Sequence, residues 1–289
     1  MIQNRDEDLL PAADRRPPSA WLHFGLEPGA GMLPRTLAGL RTLAADLLAD
    51  GDVADFFFVR KVPGLRVRFR CAEGRADAVD ERVCAVLSRW ELDGVVAGWC
   101  GGAYEPEEFL FGGPVSMAHV HRVFTADSTA WLGFHALAGS GGGPGPVWAM
   151  SLRMIRGLLD GLGIVGWEDL DVWDRLRRQA GRGFAADAEL PEAGARAAVA
   201  LRETWADARR SAAVLHPEAW GLAEAYCQDV AEIAARWREE YFTVGRPAVG
   251  PREAAAFVIV FHWNRAGLSA VRQALITSAL TVRPRGVDR

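Results

Sequence analysis

Two hydrophobic periods divide the chain, and they predict different elements. Near the start, Trp21-Leu22-His23-Phe24-Gly25-Leu26 reads as a strand. Leu37, Leu40, Leu43, Leu47 and Leu48 then recur at helical spacing until Asp50-Gly51-Asp52 stops the pattern. In FFFVRKVPGLRVRFR, residues 56–70, two strand-like runs flank the turn dipeptide Pro63-Gly64, which predicts a β-hairpin. Residues 75–90 suit an amphipathic helix and 95–104 another strand. Ala- and Arg-rich helical patterns fill 147–160, 167–180, 187–213 and 217–240, and one last helix is expected over 252–281. Residues 1–18 read as a polar, Pro-rich flexible tail, and GSGGGPGP at 139–146 as a flexible loop. The expected fold is α+β: a small antiparallel sheet with packed helices and a helix-rich C-terminal half, one composite unit over 19–289.

Charge and composition narrow the classes of function. Lys plus Arg is 33 against 37 for Asp plus Glu, a net charge of −4 over 289 residues, so no basic excess argues for nucleic acid. The longest uninterrupted apolar run, residues 254–261, is far shorter than the roughly 20 residues of a membrane span. The N-terminus has no apolar signal region. Cys71, Cys84, Cys100 and Cys227 are dispersed without a CxxC, the pattern of reduced thiols rather than disulfides or a zinc site. These features predict a soluble, cytoplasmic protein with no metal, nucleotide or redox cofactor. Eleven Trp against three Tyr supply a large flat apolar surface, either for the core or for a peptide groove.

Two polar groupings stand out against this background. On a strand, Arg66, Arg68 and Arg70 share one face while Leu65, Val67 and Phe69 take the other. The Arg row is either a solvated strand face or a cationic floor that holds carboxylates or carbonyls. On a continuous last helix at 100° per residue, His262, Arg265, Ser269, Arg272, Gln273 and Thr277 fall on one side, facing either water or a cleft. His119 and His121 point to different sides of a helix, without the carboxylate pattern of a metal site. No P-loop, GxSxG or trustworthy Ser-His-Asp spacing is present.

The hairpin FFFVRKVPGLRVRFR resembles the pattern FF-x-R-x-x-D-P-G-x-H-L-R-L-R of the C-terminal elimination domain of class I lanthipeptide dehydratases. Residues 104–114, YEPEEFLFGGP, resemble that domain's Y-E-R-E-x-x-R-Y-G-G-P block, and 123–128, VFTADS, its F-x-x-D-S helix. Residues 261–265, FHWNR, are similar to its H-M-x-x-N-R helix. The four blocks occur in family order and span about residues 20–285. Relatives that consist of this domain alone include thiopeptide pyridine synthases, which join two dehydroalanines of a modified precursor peptide in an aza-Diels–Alder-type cycloaddition and then lose water and the leader. Others are split elimination proteins that remove glutamate from glutamylated Ser or Thr.

The chain departs from the elimination pattern at Leu65, Pro106 and Leu110, where the family has His, Arg and Arg, and at Val260, where its leading His would fall. Elimination needs a base for the α-proton and cations for the departing glutamate, so these losses favour the pyridine synthase. The resemblance then implies Tyr104, His262, Arg265 and Ser128 as catalytic residues. Arg66, Arg68, Glu105, Asp127, Trp263 and Asn264 would bind the substrate, with Trp263 stacking on its heterocycles. The implied partner is the modified precursor peptide, leader and dehydroalanine- and azole-containing core, with acidic leader residues met by Arg175, Arg177, Arg178 and Arg182. A homodimer is compatible with this reading; nucleic acid and membrane are not implied. The rival readings are a glutamate-elimination lyase and a non-catalytic precursor-binding scaffold.

Overall fold

A computed structural model describes residues 21–137, 143–179, 182–184 and 192–281. The expected tail at 1–18, residues 139–142 of the expected loop, and 187–191 of an expected helix lie outside these residues. Strands β1 (Trp21–Pro28), β2 (Val53–Lys61), β3 (Gly64–Cys71) and β4 (Val96–Gly102) form an antiparallel sheet in the order β2-β3-β1-β4. In β3 the apolar residues Leu65, Val67, Phe69 and Cys71 are buried, and the three Arg side chains between them are half-buried on the other face. The register sets Phe56 opposite Phe69 and Phe24 opposite Val67, so large side chains from three strands meet in one layer. Helices α1 (Leu33–Ala49) and α2 (Ala76–Leu92) close that layer with Leu37, Leu40, Leu43, Leu47, Val79, Val83 and Leu87. Each such side chain contributes about 1.5–3 kcal/mol on burial.

The remaining helices are α3 (Glu108–Phe111), α4 (Pro114–Leu137), α5 (Val147–Gly161), α6 (Asp169–Arg178), α7 (Glu192–Ala206), α8 (Arg209–Val214), α9 (Pro217–Trp237), α10 (Pro251–Ala266) and α11 (Ala270–Leu280). A 3₁₀ turn at Gly166–Glu168 leads into α6, and a π turn at Arg238–Phe242 ends α9. Helices α4, α5, α9 and α10 pack together, and α4 also runs along β2. Gly157 lets α5 meet α9 closely, since a Cβ there would collide with the Cys227 side chain.

Two helical expectations are corrected. The helix expected over 187–213 is, within the described residues, α7 and α8 with a break between them. The expected last helix is also two. Gly267 adopts φ +71°, a left-handed conformation that suits glycine, and its N–H and that of Leu268 close α10 on the carbonyls of Asn264 and Trp263. Ser269 then caps α11 by accepting from the Arg272 N–H. The single polar stripe from His262 to Thr277 therefore does not exist. Gln273 and Thr277 face Arg182, with the Thr277 hydroxyl donating to the Arg182 carbonyl at 2.5 Å.

Candidate functional site

The residues singled out in the sequence fall into three places. The first is a buried polar network. His262 and Arg265, three apart on α10, converge on Asp127 of α4: His262 Nδ1 lies 2.5 Å from Asp127 Oδ1, and Arg265 Nη1 donates to Asp127 Oδ2 at 3.0 Å. A carboxylate only accepts, so the His262 proton sits on Nδ1, and Nε2 accepts from the Ser151 hydroxyl at 2.9 Å. The Trp131 indole N–H lies 3.2 Å from the same Nδ1. Ser151, His262 and Asp127 thus repeat the residue order of a hydrolase triad, yet these residues are at most 2% exposed, so Ser151 meets no substrate. Arg265 is fully buried with its guanidinium 4.2 Å from the centre of the Phe124 ring, and its Nε and Nη2 have no hydrogen-bond partner. Burial lowers its pKa, with Asp127 opposing.

The second place is the outer edge of β2. An edge strand presents unpaired N–H groups that must be covered, and here three side chains cover them. Thr125 Oγ1 accepts from the Phe56 N–H at 3.0 Å, Ser128 Oγ from Phe58 at 3.3 Å, and Asn264 Oδ1 from Arg60 at 2.6 Å. Asn264 also donates to the Arg60 carbonyl at 2.8 Å. The structure thus engages Ser128 and Asn264, expected in catalysis and binding, in holding helices to the sheet. Trp263 is 0% exposed and stacks on Trp173 at 6.4 Å, so it has no open face for a substrate ring. Phe261 is partly buried and packs 4.9 Å from Phe124.

The third place is only partly open, with Arg68 and Tyr104 half-buried and His23 and His121 buried. On the Arg face of the sheet, the Arg68 guanidinium lies 4.4 Å from the Tyr104 ring centre and 5.0 Å from that of Phe57. Its Nε donates to His23 Nδ1 at 3.3 Å, and its Nη1 has no partner. The Tyr104 hydroxyl lies 2.8 Å from His121 Nε2 and donates to Glu107 Oε2 at 3.4 Å. Burial, then the Glu107 charge, pushes the phenol pKa well above its ordinary value, which keeps Tyr104 a proton donor. Burial, then Arg70 and Arg68, lowers His121 to about 3; burial, then Arg68 and Arg66, lowers His23 to about 4. Both imidazoles are neutral at pH 7. A separate apolar cleft of about 550 Å³ is lined by Glu108, Phe109, Leu110, Val249, Glu253 and Phe257, and none of the residues of this cluster lines it.

The family follows from these elements taken together. A family model described as "Lantibiotic biosynthesis dehydratase C-term" matches residues 21–282. The chain belongs to this family. Among solved structures it is similar to the tRNA-dependent lantibiotic dehydratase MibB from Microbispora sp. 107891, with a TM-score of 0.69 and 20% identity over 94% of this chain and 29% of that one. That likeness is one of fold, and this chain spans less than a third of MibB's length. A structure titled TsrL, with a TM-score of 0.30 and 12% identity over 92% of this chain and 99% of that one, carries no argument. Comparison with the curated proteins gave no match.

Within this dehydratase C-terminal domain, Arg66, Arg68 and Tyr104 stand at the partly open cluster, and Asp127, His262 and Arg265 lie behind it. Glu105 is exposed, and Glu107, two residues on, takes the place beside Tyr104. His23, His121 and Glu107 are additions that the sequence reading missed. The pairing of β1 with β3 sets His23 opposite Arg68, and a correct strand register was the signal that could have found it. The Arg residues of α6 are not a free patch: Arg175 pairs with Asp171, and Arg177 and Arg178 with Asp174. No group of three or more His, Cys, Asp or Glu able to hold a metal occurs among the described residues. No described helix is long and apolar enough to cross a membrane.

Proposed function

We propose that the protein is a thiopeptide pyridine synthase acting on a modified precursor peptide that carries two dehydroalanines. The observation that supports this reading is the trio at this cluster: a phenol held protonated, a neutral imidazole 2.8 Å from it, and a half-buried guanidinium 4.4 Å from the phenol ring. An amide between the reacting residues must become its iminol form before it can act as a 2-azadiene. Arg68 donates to that amide oxygen as negative charge builds on it. Tyr104 gives its proton to the oxygen and takes up the one that leaves the amide nitrogen, with His121 Nε2 hydrogen-bonded to the phenol oxygen throughout, so the iminol forms without a net change of charge on the pair. Two carbon–carbon bonds then close the ring. The same oxygen leaves as water, and the leader departs as its amide when the ring aromatises. Holding the two alkenes together against this cluster supplies the orientation that a cycloaddition needs.

The uncharged departures favour this chemistry over glutamate elimination. Pro106 has no charge, and Leu110 packs against the apolar core, so neither offers a cation to a departing glutamate. Incubation with a dehydrated, azole-bearing precursor tests the proposal: mass spectrometry should show loss of water together with free leader amide. Loss of glutamate from a glutamylated precursor without ring formation would replace the proposal with a lyase. Leader binding with no mass change in either peptide would replace it with a scaffold.

A further inference from the structure

The two edges of the sheet are treated differently. The N–H groups of Phe56, Phe58 and Arg60 on β2 are all taken by side chains, and this fixes the bonding parity of the sheet. In an antiparallel ladder alternate residues bond to opposite neighbours. If Phe56, Phe58 and Arg60 point outward, then Phe57 exchanges bonds with its partner Arg68, Phe24 with Val67, and His23 and Gly25 with Gly102 and Cys100. The groups of β4 that point away from the sheet are therefore those of Ala97, Trp99 and Gly101. Among the described residues no hydrogen bond to these groups from outside the sheet occurs. Ala97 and Gly101 are exposed, and a Cβ on Gly98 or Gly101 would meet nothing within 4 Å.

This open edge adjoins the reaction site. Gly102 pairs with His23, and a Cβ on it would lie 3.5 Å from the His23 ring; two residues later the chain reaches Tyr104. We infer that β4 is a docking strand, on which an extended, unmodified stretch of the precursor peptide flanking the reacting residues adds as a fifth strand. Main-chain hydrogen bonds to Trp99 and Gly101 hold the peptide whatever its side chains, and glycine at 98, 101 and 102 lets a second backbone approach. The inference rests on the proposed reading for its occupant, an amide-bearing peptide, and on the strand parity alone for its location.

Amide hydrogen exchange of the full chain, with and without dehydrated, azole-bearing precursor, reads the edge independently of ring formation. The Trp99 and Gly101 amides should exchange freely alone and slow at least about tenfold when the peptide is bound. Gly101→Ala keeps the N–H and should bind the peptide as the parent does. Gly101→Pro removes one outward N–H without touching the ladder to β1 and should weaken binding about tenfold. Melting temperatures of both variants guard against a folding defect, and a glutamylated precursor serves as second probe. Protection with either peptide but no ring product upholds the docking strand and rejects the synthase. Ring formation with unchanged exchange at Trp99 and Gly101 overturns the docking strand. So does protection already present before peptide is added, which would show the edge occupied by the chain itself.

Discussion

Replacing His262 with Ala separates packing from chemistry. In the structure His262 is 2% exposed, and removal of its imidazole leaves the Ser151 hydroxyl and one Asp127 oxygen without their partner. An unsatisfied buried polar group costs about 1–3 kcal/mol. Asp127 keeps Arg265, so one orphaned hydroxyl and one weakened carboxylate, with the vacated volume, set the cost at about 3–5 kcal/mol. At about 2–4 °C per kcal/mol for a chain of this size, Tm should fall by roughly 10 °C. Tyr104→Phe is the contrasting variant. It keeps the ring contacts with Trp21, Phe57 and Arg68, loses one hydroxyl, and should cost no more than about 1.5 kcal/mol while slowing ring formation about 100-fold or more. Differential scanning calorimetry beside mass-spectrometric turnover decides both. A His262→Ala protein that melts within 2 °C of the parent, or a Tyr104→Phe protein with full turnover, refutes the division between buried network and partly open site.

Other perturbations probe other links of the fold. Asn264→Ala removes both bonds to the Arg60 backbone and should cost about 1–3 kcal/mol with faster exchange of the Arg60 amide; unaltered exchange would show that the clamp holds nothing. Gly157→Ala pushes a methyl against Cys227 and should cost about 1–3 kcal/mol, partly restored by Cys227→Ala, as urea midpoints will show. His121 and His23, held at about 3 and about 4 when folded, take up protons near pH 6.5 once unfolded. The unfolded state therefore gains protons first as pH drops, so stability is full above about pH 6.5 and declines toward pH 4. Each histidine contributes about 1.4 kcal/mol per pH unit once well below 6.5. Urea unfolding at pH 7, 6 and 5 should show this decline, shallower in His121→Gln, and a flat profile would contradict the burial of both rings.

The sheet was legible in the sequence because β3 announces itself by strict alternation, and Pro63-Gly64 can only turn the chain back. The helices of the second half were legible in position but not always in length. Stepping 100° per residue through 252–281 carried the helical phase across Gly267, and a glycine that ends a helix cannot be told from one inside it until its dihedral is known. The roles of Ser128 and Asn264 were out of reach for another reason: what they bond is the backbone of β2, about 70 and 204 residues away in sequence. His121 joined Tyr104 only once α4 was placed against the sheet. The chemistry-bearing residue types were visible in one dimension; which of them reach solvent was a property of the packed chain.

Phe57 stands between two guanidinium groups, Arg68 at 5.0 Å from its ring centre and Arg265 at 5.9 Å, and only Arg68 can be reached. Arg265 and Asp127 form a dipole sealed in apolar surroundings, and its positive pole is turned toward the aromatic wall beneath Tyr104. The cation lowers the Tyr104 pKa against the stronger pull of burial. Counter-ions cannot enter the core to screen such a dipole, whereas they readily shield a half-exposed side chain. The site therefore has two sources of electric field with different responses to ionic strength. Salt dims the contribution of Arg66 and Arg68 to attracting a charged ligand, while the buried field beside Tyr104 that favours a growing negative charge stays almost constant.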